Sequence, residues 1–172
     1  MAEEQVPSKR ELLAALRASR DEVLTTLRAL PPERLEDGRY ENGWNGRQIL
    51  AHLASIEWTY PRLIDIARRA QAAAAGPTGA PVGADLPTRS MRGGNNAYND
   101  RQVAKRAQLS PADLLAEFEQ NRAATIAAVE AAEEEVFARH IRSAGGVTGP
   151  LALVFHRVAV VHVLGHARDI AG

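Results

Sequence analysis

The apolar positions of this chain recur with a helical period along most of its length. From Ser8 to Leu30 they fall at Leu12, Leu13, Leu16, Val23, Leu27 and Leu30, the three-and-four spacing that lines one face of an α-helix. Pro31-Pro32 ends that run, because proline lacks the backbone donor a helix interior requires. A second stripe, Ile49, His52, Leu53, Ile56, Leu63, Ile64 and Ala67, predicts a helix that starts after Asn45, with a kink or split where Pro61 interrupts it. Leu114, Leu115, Phe118, Ile126 and Val129 mark a third helical region from Asn95 to Phe137, in two pieces joined near Leu109-Ser110. The last stretch, LALVFHRVAVVHVLGHARDI, is apolar nearly all round. Its valines favour a strand, yet its length without a turn signal suits a helix buried on most sides.

Capping signatures agree with these starts. Ser8 with Glu11, Asn45 with Gln48, and Ser110 with Asp113 each place an oxygen acceptor ahead of a helix and a partner three residues on. The stretch GPTGAPVGADLPTRSMRGG, over 76–94, holds too much glycine and proline for helix or strand and is expected to be a loop, and SAGGVTGP is expected to be a turn. The expected fold is all-α, a four-helix bundle forming one domain over residues 1–172.

Composition narrows the chemistry. Hydrophobic residues at 45% and charged residues at 24% suit a globular protein, and a formal net charge of zero supplies no general attraction to nucleic acid or anionic lipid. The first residues, MAEEQVPSKRE, lack the apolar stretch of a signal peptide, and Arg157 breaks the C-terminal apolar run short of a membrane span, so a cytoplasmic protein is expected. With no cysteine, any metal must be held by histidine, carboxylate, backbone or water.

Five histidines are present, and two of them, His162 and His166, stand four apart in the apolar last stretch. At ~100° per residue His166 lies about 40° from His162, and Asp169 about 20° on the other side, so all three share one helix face. Such a pair suits a metal ion but also occurs as a packing pair, and a site needs a third ligand. His52, on the apolar stripe of the second helix, supplies one; the alternative is a hydrogen-bonded core histidine. Asp169 is either a partner that fixes a ring tautomer, a further ligand, or part of a solvated chain end. His156 lies about 120° from His162 and His140 sits by a glycine-rich turn, so neither belongs to the same point. Gly165 costs roughly 1 kcal/mol against alanine in a helix interior, which suggests a close approach to the backbone, most simply by a neighbouring helix. Three neutral imidazoles with an open position would leave room for water or a substrate atom. Proteolysis of the HExxH type is not expected, since Val163 follows His162 directly.

These residues resemble the DinB/YfiT-like superfamily, which includes the metal-binding domain of mycothiol-dependent maleylpyruvate isomerase. NGWNGRQILAHLASIEW is similar to that family's tryptophan-loop-helix entry with its first histidine, here His52. HVLGHARDI resembles its HxxxH segment, here His162 and His166, and NNAYNDRQVAKRAQLSPADLLAEFEQNRA its third-helix region. The resemblance implies an up-down-down-up bundle, a divalent metal such as zinc or nickel on the three histidines, and a homodimer. It further implies a low-molecular-weight thiol of the mycothiol or bacillithiol type, transferred to a small electrophile in detoxification or stress response. Trp44, Asn45, Arg47, Asn96, Tyr98 and Arg101 lie near loop ends or helix starts and are the candidates to line a small-molecule pocket; each also reads as a cap, a packing residue or a solvated charge. The extra C-terminal domain that the isomerase carries is not matched, so maleylpyruvate isomerisation is not implied. Two other functions stay open: sequestration of a small molecule without turnover, and metal-dependent hydrolysis.

Overall fold

A computed structural model of the chain describes residues 5–37, 43–74 and 94–172. In chain order its helices are α1 (Lys9–Arg28), α2 (Pro32–Glu36), α3 (Gly46–Glu57), α4 (Pro61–Ala74), α5 (Gly94–Lys105), α6 (Pro111–Ala131), α7 (Leu151–His156) and α8 (His162–Ala171). The expected loop over 76–94 lies outside the described residues except for Gly94, which opens α5. All three capping boxes form. Ser8, Asn45 and Ser110 accept from the backbone N–H three residues on, and Glu11, Gln48 and Asp113 accept in return from the backbone N–H of the capping residue.

Contacts between helices fix the direction of each. Lys9 reaches the carbonyls of Glu130 and Ala132 while Arg28 pairs with Glu119, so α1 runs antiparallel to α6. Arg47 at the start of α3 bonds the carbonyls of Ala107 and Leu109, and Arg68 on α4 pairs with Glu133, so α3 and α4 run parallel to α6. Gly46 packs against Ile170 and Arg168 pairs with Glu22, which turns α8 antiparallel to α3 and parallel to α1. The bundle is therefore all-α with an up-down-down-up order. A side chain at Gly46 would crowd Leu35 O at 3.2 Å and Ile170 at 3.3 Å, so the lack of a Cβ there lets α3 and the end of α8 approach.

The predicted inner faces are largely the observed ones. Leu12, Leu16, Val23 and Leu27 are buried, as are Ile49, His52, Leu53, Leu63, Ile64, Ala67 and the five named positions of α6; Leu13, Leu30 and Ile56 are half-buried. Pro61 does split the second stripe, α3 ending at Glu57 and α4 beginning at Pro61 itself.

Three details depart from expectation. The third helical region stops at Ala131, not Phe137: Ala132 takes an extended backbone with ψ 148, and a 3₁₀ helix, Glu134–Ala138, folds Val136 and Phe137 into the core. Lys9 supplies donors to two carbonyls at that end, Glu130 O and Ala132 O. The expected turn is a small antiparallel hairpin, β1 (His140–Arg142) and β2 (Thr148–Pro150), closed by Gly146 at φ +85. Lastly, the final helix is not continuous α-helix. Arg157–Val161 forms a π turn, in which the His162 N–H reaches back to the Arg157 carbonyl.

The π turn follows from the burial pattern. Counting ~100° per residue, a straight helix would set the buried Val163, Ala167 and Ile170 about 100° away from the buried face of α7; a π turn acts as one inserted residue and brings the two faces into line. Leu151–Ala171 is, among the described residues, one helix long and apolar enough to cross a membrane by length and composition. Its buried residues belong to the core shared with α1 and α3.

At the centre of that core lies a charged group. Arg122 is fully buried, and all five of its N–H donors have acceptors. Nε and Nη2 bond the two oxygens of Glu57 at 2.6 and 3.0 Å, Nη1 bonds Leu16 O at 3.1 Å and Ser19 Oγ at 2.7 Å, and Nη2 also bonds Ala159 O at 2.6 Å. One guanidinium thereby ties α1, α3, α6 and the π turn. Burial pushes the Glu57 carboxyl up, and the bidentate guanidinium opposes that shift.

Arg122→Met strands the Glu57 carboxylate, and removing one partner of a buried pair costs about 3–5 kcal/mol. Urea unfolding should show a loss of that size, with much of it recovered in the double variant Arg122→Met/Glu57→Leu. A single-variant loss near that of a surface substitution would show that the network does not organise the core.

Candidate metal centre

His52 on α3 and His162 and His166 on α8 come together. The ring centroids lie 5.6 Å apart for His52 and His162, 5.4 Å for His52 and His166, and 4.5 Å for His162 and His166. One ligand atom from each falls within 4.8 Å of the others. The Nε2 atoms of His162 and His166 are 3.0 Å apart. Two imidazole nitrogens bound about 2.0–2.1 Å from one tetrahedral ion stand roughly 3.3 Å apart, so little movement separates this arrangement from a coordinating one.

The π turn decides where these rings sit. In a straight helix His162 would lie near the middle of the face that α7 buries, and His166 about 40° from it; the inserted residue swings both to the edge of the buried face. His52 is buried, at 4% exposed, while His162 and His166 are half-buried. The cluster thus has a closed side on α3 and a more open side on α8.

Burial keeps the rings uncharged. The His52 pKa falls from 6.5 to about 3, through burial first and then its two histidine neighbours. His162 falls to about 4 by burial and by His166, against the Val158 carbonyl that its ring hydrogen-bonds. His166 is lowered by burial, with Asp169 opposing. The Asp169 carboxylate stands 3.7 Å from His166 Nδ1, an electrostatic contact longer than a hydrogen bond, and is 57% exposed. Among the described residues, the buried Nδ1 atoms of His52 and His166 have no hydrogen-bond partner. Buried imidazole nitrogens without partners are costly, and three neutral rings offer lone pairs to a cation. The residues present fit a divalent metal.

Of the other candidates, Trp44 lies against the cluster, its ring 5.5 Å from that of His52. Asn45 is committed as the cap of α3. The Arg47 guanidinium bonds the Ala107 and Leu109 carbonyls and stands 3.7 Å from Glu36, so it ties the α5–α6 link to α3. Asn96 and Arg101 are exposed on α5 and Tyr98 is buried there. Trp44 and Arg47 also line a cavity of about 160 Å³ between α3 and α5, with Gln48, Ala51, Asp100 and Val103. His156 is half-buried and His140 exposed. Gly165 departs from expectation: among the described residues a Cβ there would meet nothing within 4 Å, so none of the described helices approaches it. Sequence reasoning missed the Glu57–Arg122 pair and Tyr60, both of which reach the π turn next to His162. A glutamate and an arginine inside otherwise apolar faces were the available signal.

The model of the mycothiol maleylpyruvate isomerase N-terminal domain matches residues 40–171. Among solved structures, the mycothiol-dependent maleylpyruvate isomerase is similar over 95% of this chain and 61% of its own, with a TM-score of 0.66 and 18% sequence identity. A histidine-to-alanine mutant of that enzyme aligns equally well. This chain therefore spans 61% of that protein's length. No match was found among curated proteins.

Lowered histidine pKa values carry a sign. Above the ordinary 6.5 both folded and unfolded chains hold neutral rings; as pH falls from there through about 4 toward about 3, the unfolded chain takes up protons that folded His52 and His162 refuse. The metal-free protein should lose stability on acidification across that window. In thermal melts His52→Gln should give a shallower decline, and an unchanged slope would mean that His52 does not titrate low.

Proposed function

Because the chain belongs to the mycothiol maleylpyruvate isomerase N-terminal domain family, within the DinB/YfiT-like superfamily, we propose that it is a divalent-metal protein that presents a low-molecular-weight thiol to a small electrophile. The convergence of His52, His162 and His166 carries this reading. We assign the metal to those three rings, zinc or nickel by their nitrogen donors, and the thiol to the open side over Gly165. When bound, a divalent cation supplies a positive centre that favours thiolate over thiol, and thiolate is the competent nucleophile.

The chain's own residues do the rest. His52 and Trp44 close the inner side of the site against water. Among the described residues nothing crowds the backbone at Gly165, which leaves space for a ligand, and the Asp169 carboxylate stands 3.7 Å from the His166 ring. In the transfer the S–H bond breaks and its proton passes to solvent, the sulfur bonds the electrophilic carbon, and the bond from that carbon to its leaving group breaks, the group departing with the electron pair. The thiol must come from solution, as the chain has no cysteine.

Binding without turnover is the second reading. It is favoured by the site's scarcity of acid–base groups: among the described residues, Asp169 is the one carboxylate in contact with the rings. Hydrolysis needs a general base that this carboxylate, 57% exposed and beside a ligand ring, serves poorly. We also propose a homodimer, with Val161, 54% exposed on the last helix, at the contact.

Elemental analysis of untagged protein should find about one divalent ion per chain, lost in His52→Ala and His162→Ala, as expected where three ligands hold one ion. Metal content unchanged in both variants would remove the site. For the loaded protein, a thiol that shifts the absorption of a cobalt derivative and is consumed with an electrophile supports transfer; a thiol or small molecule bound but never consumed supports sequestration. Gly165→Leu should keep the metal and lose the thiol-induced shift.

A further inference from the structure

Two helix interruptions face each other in this bundle. One is the α3–α4 break at Pro61, which carries Glu57 and Tyr60; the other is the π turn ahead of His162. The contact between them leads directly to a proposed metal ligand.

In continuous α-helix the Val158 carbonyl would accept the His162 N–H. Here that N–H goes to Arg157 O, which frees the Val158 carbonyl. Val158 O receives the Tyr60 hydroxyl at 2.6 Å and also hydrogen-bonds the His162 ring. Ala159 O, next along, receives Arg122 Nη2 at 2.6 Å. His162 Nε2 faces His166 Nε2, so Nδ1 is the nitrogen left for Val158. Among the described residues, the Nδ1 atoms of His52 and His166 have no such partner. His162 is thus the ring whose tautomer the main chain sets. Tyr60 is itself held: it is 3% exposed, its ring stands 6.4 Å from that of Phe155, and burial keeps its hydroxyl protonated and able to donate.

We propose that Tyr60 is a positioning residue for His162: by donating to the Val158 carbonyl it fixes the acceptor that orients the His162 ring, and so aims Nε2 at the three-histidine centre. A ligating histidine whose far N–H is held by a carbonyl keeps one tautomer and one plane. Tyr60 acts one hydrogen bond further out, on the carbonyl. Arg122 anchors the adjacent carbonyl and keeps the π turn from relaxing into α-helix, which would return the Val158 carbonyl to the His162 N–H.

The consequence for metal rests on the reading given under Proposed function, whereas the orientation of His162 does not. The test uses Tyr60→Phe, which keeps the ring and removes the hydroxyl. Long-range proton–nitrogen NMR of the metal-free wild type should show His162 protonated at Nδ1, and Tyr60→Phe should convert that signal to a mixture of tautomers. Cobalt(II) titration should show binding weakened by about 10–100-fold in Tyr60→Phe, with altered visible bands. Val129→Ala, a core variant at the far end of α6, should change neither. A wild-type His162 protonated at Nε2, or a Tyr60→Phe protein with the wild-type tautomer and cobalt affinity, overturns the proposal. Wild type that binds no cobalt, together with a tautomer change in Tyr60→Phe, upholds the positioning role and rejects the metal reading instead.

Discussion

A guanidinium shut away from water must find acceptors for all five of its N–H groups inside the protein, and Arg122 finds them on three other segments. That requirement constrains the rest of the bundle. The Glu57 carboxylate has to arrive from the end of α3, Leu16 O and Ser19 Oγ from the middle of α1, and Ala159 O from the π turn of the last helix. Such a pair adds little net stability compared with well-packed apolar residues, but it tolerates no shift of one helix against another, because a lost acceptor leaves charge unsatisfied in the core.

The same device shapes the three-histidine site. Two rings on α8 escape the core because the π turn rotates their face outward, and one ring on α3 stays inside because it lies on a buried stripe. The result is a cluster buried enough to hold its imidazoles neutral and half-exposed on the α8 side. Either extreme would spoil it. Fully exposed rings would take protons in mildly acidic water and lose their lone pairs, while fully buried ones could meet no substrate. The α3–α4 break and the π turn are local departures from regular helix joined by the hydrogen bond from Tyr60 to Val158 O, while Arg122 of α6 bonds Ala159 O beside it.

Much of this was legible in one dimension. Helix starts were, because a capping box is a contact among four neighbouring residues and needs no partner elsewhere: Ser8, Asn45 and Ser110 behave as their local sequence directs. The inner faces were, since burial follows a 3.6-residue period that apolar residues display directly. The split at Pro61 followed from a missing N–H. His162 and His166 announced themselves by spacing, and His52 by standing on an apolar stripe.

What escaped was whatever depended on a partner distant in the chain. Glu57 and Arg122 are 65 positions apart, and nothing near either one reveals that each will be buried against the other. The short hairpin hid in a glycine-rich turn, and the end of α6 depended on Lys9 arriving from the opposite end of the chain. The π turn is the sharpest case. Local propensity for LALVFHRVAVVHVLGHARDI asks for a regular helix or strand, and the extra residue in the turn appears only because α7 and α8 must both bury their apolar sides in one core. The sequence by itself determined the helices, their inward faces and the three histidines, since those depend on short-range geometry and periodicity. Tertiary packing decided the phase of the last helix, and with it the direction in which two of the histidines point, because phase is set by what a helix must bury against its neighbours.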